Sequence, residues 1–301
     1  MKKGLLHLVT VLSLIAPCGV MAETRSAAAS NSTANRFHGL DPADARSRFF
    51  RALFRASLGK AEKDPFAVSI FRAMEIDLDL LSMQARIDQM KPGELMQSGL
   101  PYKGDHGFDR MPVRFRDGLV QIKRAKPSEL DSKLAMAVAV FAATCADNET
   151  ERNARLASGF AGARWTGANS RIVLRSLTIM RNNRCLNEAD YQRLAGPAAL
   201  KMAKSLGQLE GFDLANALYD LFHGGFSSLV GEEDLLRFAS LQSSDGNWRS
   251  KTDIGTHGVA AAAGAYVLAS VLRAGGEPIL KREIEDMYSG VRKQQLNEAR
   301  R

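Results

Sequence analysis

The chain has 301 residues, of which 45% are hydrophobic, 25% charged and 7% aromatic, with 25 Gly and 9 Pro. That is the composition of one large globular domain or two small ones, and it excludes collagen, a disulfide-dense miniprotein and a wholly disordered chain. Lys and Arg number 41 against 33 Asp and Glu, a formal net charge of +8, which suits an acidic envelope surface as well as nucleic acid.

The first 22 residues read as a secretory signal peptide. Lys2 and Lys3 are followed by the uncharged run Leu5 to Ala16, then by Pro17, and Val20-Met21-Ala22 offers a cleavage site. The run is too short to span a bilayer, for which about 20 residues are needed. Pro17 before Cys18 argues against a lipid-attached cysteine. Cleavage after Ala22 removes Lys2, Lys3 and Cys18 and leaves Cys145 and Cys185, which in an oxidising compartment pair in only one way. The protein is therefore expected in the periplasm or outside the cell, with a Cys145–Cys185 disulfide. Two separate buried thiols are the other outcome.

Residues 23–36 are small and polar and read as a flexible leader, with one helical domain over 37–301. Asp41-Pro42 is an N-cap followed by proline at the first helical position, predicting a helix to Leu58 that stops at Gly59. Phe49, Phe50, Leu53, Phe54 and Leu58 form its apolar face, with Arg46, Arg48, Arg51 and Arg55 elsewhere. Such a basic helix either makes peripheral contact with anionic lipid or an acidic partner, or docks on the core with its arginines in water.

Asp64-Pro65 repeats the start signal, and Ile70, Met74, Leu78, Leu81 and Ala85 carry a helical period toward Pro92. Asp77 and Asp79 are two apart and cannot converge on a helix, whereas Glu75 and Asp79 can; a solvated acidic face is expected. From Gln97 to Pro112 the helical pattern breaks, and Tyr102, Asp105, His106 and Asp109 form a secondary candidate loop without metal-site spacing. Asp117-Gly118 between alternating runs predicts one small β-hairpin over 113–122. A capping box from Ser128 to Asp131 opens an apolar helix through Cys145. Shorter helices are expected at about 149–158, 170–183, 187–195 and 197–206, with Gly159, Gly196 and Gly207 at their ends.

Phe212–His223 and Glu232–Leu241 read as helices around Gly224-Gly225. Gln242-Ser-Ser-Asp245-Gly246-Asn-Trp248 and the small-residue-rich helix His257 to Leu272 follow. Within 212–272, about 40 residues with one visible copy of the motif resemble the Q-x-x-D-G-x-W turns of the α/α-toroid superfamily, which includes class II terpene cyclases and protein prenyltransferase β-subunits. The resemblance implies an all-α chain of antiparallel helical hairpins, a complete or partial toroid, with Gln242 capping a helix end and Trp248 packing over the turn. Arg237 stands where the family has an aromatic residue, with Phe238 beside it. The D-x-D-D and zinc-ligand sets of those enzymes have no counterpart, so no active site is carried over.

No G-x-S-x-G, H-E-x-x-H, Walker or dinucleotide motif occurs, and basic residues are spread through the chain instead of interleaving with aromatics on a sheet. No metal, cofactor or nucleic-acid partner is expected. The first functional expectation is an envelope binding or scaffold protein with a glycan or protein partner. The alternative is an α/α-barrel lyase or hydrolase acting on an envelope or extracellular polysaccharide. An apolar-ligand or prenyl-binding toroid is a third possibility. Glycan cleavage needs two carboxylates, or a Tyr or His base with an Arg to neutralise a uronate. The catalytic candidates are Asp245, Asp253, His257, His223 and Tyr266. Trp248 and Arg249 are the candidate ligand-binding pair, with Trp248 as a flat surface for a sugar ring.

Overall fold

In the computed structural model the described residues are 39–58, 65–81, 167–249 and 257–299. They form eight α-helices and no strand: α1 (Pro42–Leu58), α2 (Pro65–Leu78), α3 (Gly167–Asn182), α4 (Glu188–Ser205), α5 (Gly211–His223), α6 (Glu232–Ser240), α7 (His257–Ala274) and α8 (Lys281–Ala299). The expected β-hairpin at 113–122, the helices between 128 and 158, the leader and the signal peptide lie outside the described residues. None of the described helices is long and apolar enough to cross a membrane.

Helix α7 is the hub. It packs against α1, α2 and α5, while α3 pairs with α4 and α8 lies along α1. Its sequence explains this position: Ala260, Ala261, Ala262, Ala263 and Ala265 are all fully buried, and such short side chains let neighbouring helices approach from several sides. Gly264 completes the small face, because any Cβ there would overlap the ring of Trp248. Helix α1 starts as expected, with Asp41 Oδ2 accepting from the Asp44 amide at 3.0 Å. Ala45, Phe49, Ala52, Leu53 and Ala56 are at most 1% exposed, so the apolar face of α1 is docked on the core.

Two expected boundaries are corrected. Helix α2 ends at Leu78 instead of running toward Pro92. Asp79 takes a left-handed φ of 54° and its N donates to Glu75 O at 3.1 Å, the bond of an αL cap; Leu80 N donates to Met74 O at 3.3 Å, with Leu80 buried beyond it. The expected helices 187–195 and 197–206 are one helix, α4, with Pro197 inside it. Pro197 is on the exposed side, so the Arg193 carbonyl that loses its donor faces water. Tyr191, Leu194, Ala195, Ala199 and Met202 stay buried on one continuous stripe. Helix α8 was not among the expected elements; Ile284 and Val291 anchor it, and Glu283 accepts from the Leu280 amide at its start.

Much of the arginine excess closes helix ends. Arg48 Nη1 donates to Ala239 O of α6 at 2.7 Å, and Arg237 bonds the carbonyls of Leu206 and Leu209 beyond α4. Arg181 donates to His223 O and Gly224 O at 3.1 Å, closing α5. Cations at these carbonyls satisfy orphan acceptors and oppose the negative end of each helix dipole.

Candidate functional site

The C-terminal ends of α2, α3 and α5 meet the middle of α7 in one polar cluster. Asp77 lies in the last turn of α2, Asn182 ends α3, His223 ends α5, and Tyr266 projects from the middle of α7. His223 Nδ1 is 2.8 Å from Asp77 Oδ2, and Tyr266 donates its hydroxyl to the same oxygen at 2.6 Å. Arg273, seven residues after Tyr266 and on the same face of α7, bonds the Asp77 carbonyl.

A chain of donors sets the ring's tautomer. Arg181 donates from Nε and Nη2 to Asn182 Oδ1, both at 3.2 Å, which turns Asn182 Nδ2 toward His223 Nε2 at 3.1 Å. In the neutral ring Nε2 is then the acceptor, and Nδ1–H donates to Asp77. Tyr219, one turn before His223, stacks on its ring with centroids 5.3 Å apart and 13° between planes, and Tyr266 stands edge-on to both. Burial works to raise the Asp77 carboxyl, but the hydrogen bond and charge of His223, the hydrogen bond from Tyr266 and the nearby Arg181 charge outweigh it, holding it below its ordinary 3.8. The Tyr266 phenol is pushed well up by burial and by the Asp77 charge, so it serves as a donor and not as a base.

Behind this cluster lies an ion pair the sequence did not suggest. Arg175 Nε donates to Asp220 Oδ1 at 2.7 Å and Nη2 to Asn216 Oδ1 at 3.3 Å, with the guanidinium over the Tyr219 ring. Asp220 is 3% exposed and its Oδ2 has no donor, so burial pushes its carboxyl up. Asn216 and Asp220 are one turn apart on the buried face of α5. Their only sequence signal is polarity within an apolar stripe.

The Gln242–Trp248 turn is tied into α1. Gln242 Nε2 donates to Arg48 O at 2.9 Å and to Gly246 O at 3.3 Å. Gly246, at φ 86°, lies so close to the Arg51 carbonyl that a Cβ would overlap it. Trp248 is fully buried, stacks on Phe238 with centroids 4.5 Å apart and donates Nε1 to Phe238 O at 2.7 Å. Its faces are therefore not available to a sugar ring, which corrects that expectation. Asp245 is held at about 2: burial opposes this, but Ser243, Arg249 and the Asn247 amide all donate to the carboxylate.

Beside this turn is a cavity of about 460 Å³ lined by Phe50, Arg51, Phe54, Arg55, Ser244, Asp245 and Met287. Of the candidate residues, the structure gathers His223 and Tyr266 with Asp77, and places Asp245, salt-bridged to Arg249, at the cavity instead. No hydrogen bond joins the two groups among the described residues. His257 is the first residue of α7, while Asp253, Cys145 and the 102–109 loop lie outside the described residues. Among the described residues no group of three His, Cys, Asp or Glu is placed to hold a metal ion.

On the acidic face of α2 one carboxylate stays in solvent and the other gains a partner. Asp77 and Asp79 do diverge: Asp79 pairs with Lys281 at 3.0 Å and is 83% exposed at its side chain, whereas Asp77 turns inward to His223. Comparison with protein-family models, curated proteins and solved structures finds no match for this chain.

Proposed function

We propose that this chain is an exported helical protein of the cell envelope that works by binding, with its site in the cavity between α1 and the Gln242–Trp248 turn. The observation that carries this reading is the state of the α1 arginines. Arg46 is held by Glu283 at 2.8 Å and Arg48 by Asp44 and the Ala239 carbonyl, whereas Arg51 and Arg55 border the cavity beside Phe50 and Phe54. Two cations beside two aromatic rings suit recognition of an acidic partner or glycan of the envelope. The N-terminal signal peptide and the mild positive charge support export to that compartment. Its architecture in this reading is the helical-hairpin toroid that the Gln242–Trp248 turn resembles, and Cys145 and Cys185 form its disulfide.

The test is sedimentation of the exported protein with isolated cell envelopes. The natural chain is expected in the pellet and the Arg51→Gln/Arg55→Gln double variant in the supernatant. A natural chain that stays soluble ends this reading.

One observation favours a second reading, an enzyme acting on an envelope polysaccharide. His223 has a carboxylate behind Nδ1 and its acceptor nitrogen, Nε2, turned toward the exposed Asn182 amide, the arrangement that suits a general base. Purified protein is then expected to release reducing ends or unsaturated uronides from envelope glycans, and His223→Ala to abolish the release. No release by the natural chain ends that reading.

A further inference from the structure

We infer that the cavity between α1 and the Gln242–Trp248 turn takes a small anionic amphiphile, a ligand with one carboxylate or phosphate head and an apolar body. This deepens the binding reading above and rests on it. The geometry comes from α1 itself. Phe50 and Phe54 are four residues apart, as are Arg51 and Arg55, so an apolar row and a cationic row run side by side along the helix, each pair separated by about 6 Å of rise. Met287 of α8 faces the apolar row across the cavity, and Ser244 and Asp245 close the end near the turn.

Two arginines face one carboxylate in this wall, that of Asp245. Arg55 Nε is buried without a hydrogen-bond partner, and its nearest carboxylate oxygen, Asp245 Oδ2, is 3.8 Å away. That oxygen already accepts from Arg249 at 2.5 Å, while Asp245 Oδ1 accepts from Ser243 and the Asn247 amide. The Asp245 carboxylate is thus shared between Arg249 and Arg55, and with Arg51 and Arg55 against this one carboxylate the cavity wall keeps a positive balance with one buried donor, Arg55 Nε, lacking a hydrogen bond. An anionic oxygen at that donor would complete it, since a buried N–H without an acceptor is costly. A volume of about 460 Å³ lies within the range of small-ligand sites. Head charge toward the arginines and hydrocarbon toward Phe50, Phe54 and Met287 satisfies both rows at once.

Calorimetric titration of the purified protein with decanoate, decyl phosphate, decanol, decyltrimethylammonium and inorganic phosphate tests this. Decanoate or decyl phosphate is expected to bind at least tenfold more tightly than decanol, and neither the cationic amphiphile nor inorganic phosphate to bind measurably. Which of the two anions is preferred separates a fatty carboxylate from a phosphate-headed source. Arg51→Gln/Arg55→Gln is expected to cut anion binding at least tenfold, with an unchanged circular dichroism spectrum. Phe54→Leu, which keeps the site apolar and the fold intact, should retain most of it, and Phe54→Ala should weaken every tailed ligand. Equal affinity for decanol, undiminished binding by the double arginine variant, or no binding of either anion overturns the inference. Envelope association without amphiphile uptake removes this inference alone; uptake without envelope association removes the binding reading instead.

Discussion

Asp77 sits where a helix least favours a carboxylate, in the last turn, against the negative end of the dipole. Its position is sustained by what it receives: two side-chain donors on one oxygen, from His223 and Tyr266, and Arg181 near by. Removing one donor of such a network costs about 1 kcal/mol, and removing the shared acceptor costs more, about 1–3 kcal/mol. Tyr266→Phe is therefore expected to lower stability modestly and Asp77→Asn more strongly, read as urea midpoints at neutral pH. The pH dependence has a definite sign. The folded carboxyl lies below its ordinary 3.8, so its contribution is complete above that value and is lost as pH falls through the lower, folded one. The gap between the natural chain and Asp77→Asn should narrow steadily as pH falls below about 4. A gap that stays unchanged at low pH would show that the network does not depend on the Asp77 charge.

At the scale of helices, α4 is the element whose sequence and structure most disagree. Gly196-Pro197 reads as a stop, yet the helix continues because five buried residues keep one stripe across it. The local cost of that pair is still present. A Cβ at Gly196 would meet nothing within 4 Å, and Pro197 faces solvent. Gly196→Ala should raise stability by about 0.5–1 kcal/mol, and Pro197→Ala by up to about 3 kcal/mol, the helix-interior penalties of those residues. Thermal midpoints above that of the natural chain check both, and a fall would place the pair at a needed kink. Gly264 in α7 is the opposite case: it looks equally replaceable in an Ala-rich helix, but the Trp248 ring occupies the space of its Cβ. Gly264→Ala is expected to destabilise by about 1–3 kcal/mol through overpacking, measured by the same midpoints.

These cases show what was legible in the residues. Helix α1 was readable at both ends because Asp41-Pro42 and Gly59 are local signals, decided within one turn of chain. The end of α2 was not, because Leu81 and Ala85 continue the apolar period while Asp79 turns left-handed and Leu80 docks in the core. His223 and Tyr266 were identifiable by type alone. Their partner was not, since Asp77 is 146 residues from one and 189 from the other, and only packing of α2, α5 and α7 brings the three together. Trp248 reads as a platform in sequence because an aromatic at a turn looks the same there whether its ring faces water or Phe238.

For the whole molecule, the cysteines connect compartment to stability. Cys185 is fully buried, directly after the α3 turn, where Cys185 N bonds Met180 O at 2.8 Å. In the proposed exported form its partner is Cys145, and the loop of about 40 residues between them stabilises the fold by about 3–4 kcal/mol in the chain-entropy model. Burial adds a kinetic consequence: a reductant must wait for an opening of the structure before it reaches the sulfur. The secreted protein is therefore expected to begin at Glu23 by intact mass. Denatured without reductant, it should show no titratable thiol. Denatured after reduction, it should show two. Under native conditions, reduction by a small thiol should be slow and should accelerate with urea, and the reduced protein should unfold at a lower urea midpoint than the oxidised one. Two free thiols in the unreduced denatured protein would remove the disulfide, and a mature chain that retains Lys2 and Lys3 would remove the export on which it depends.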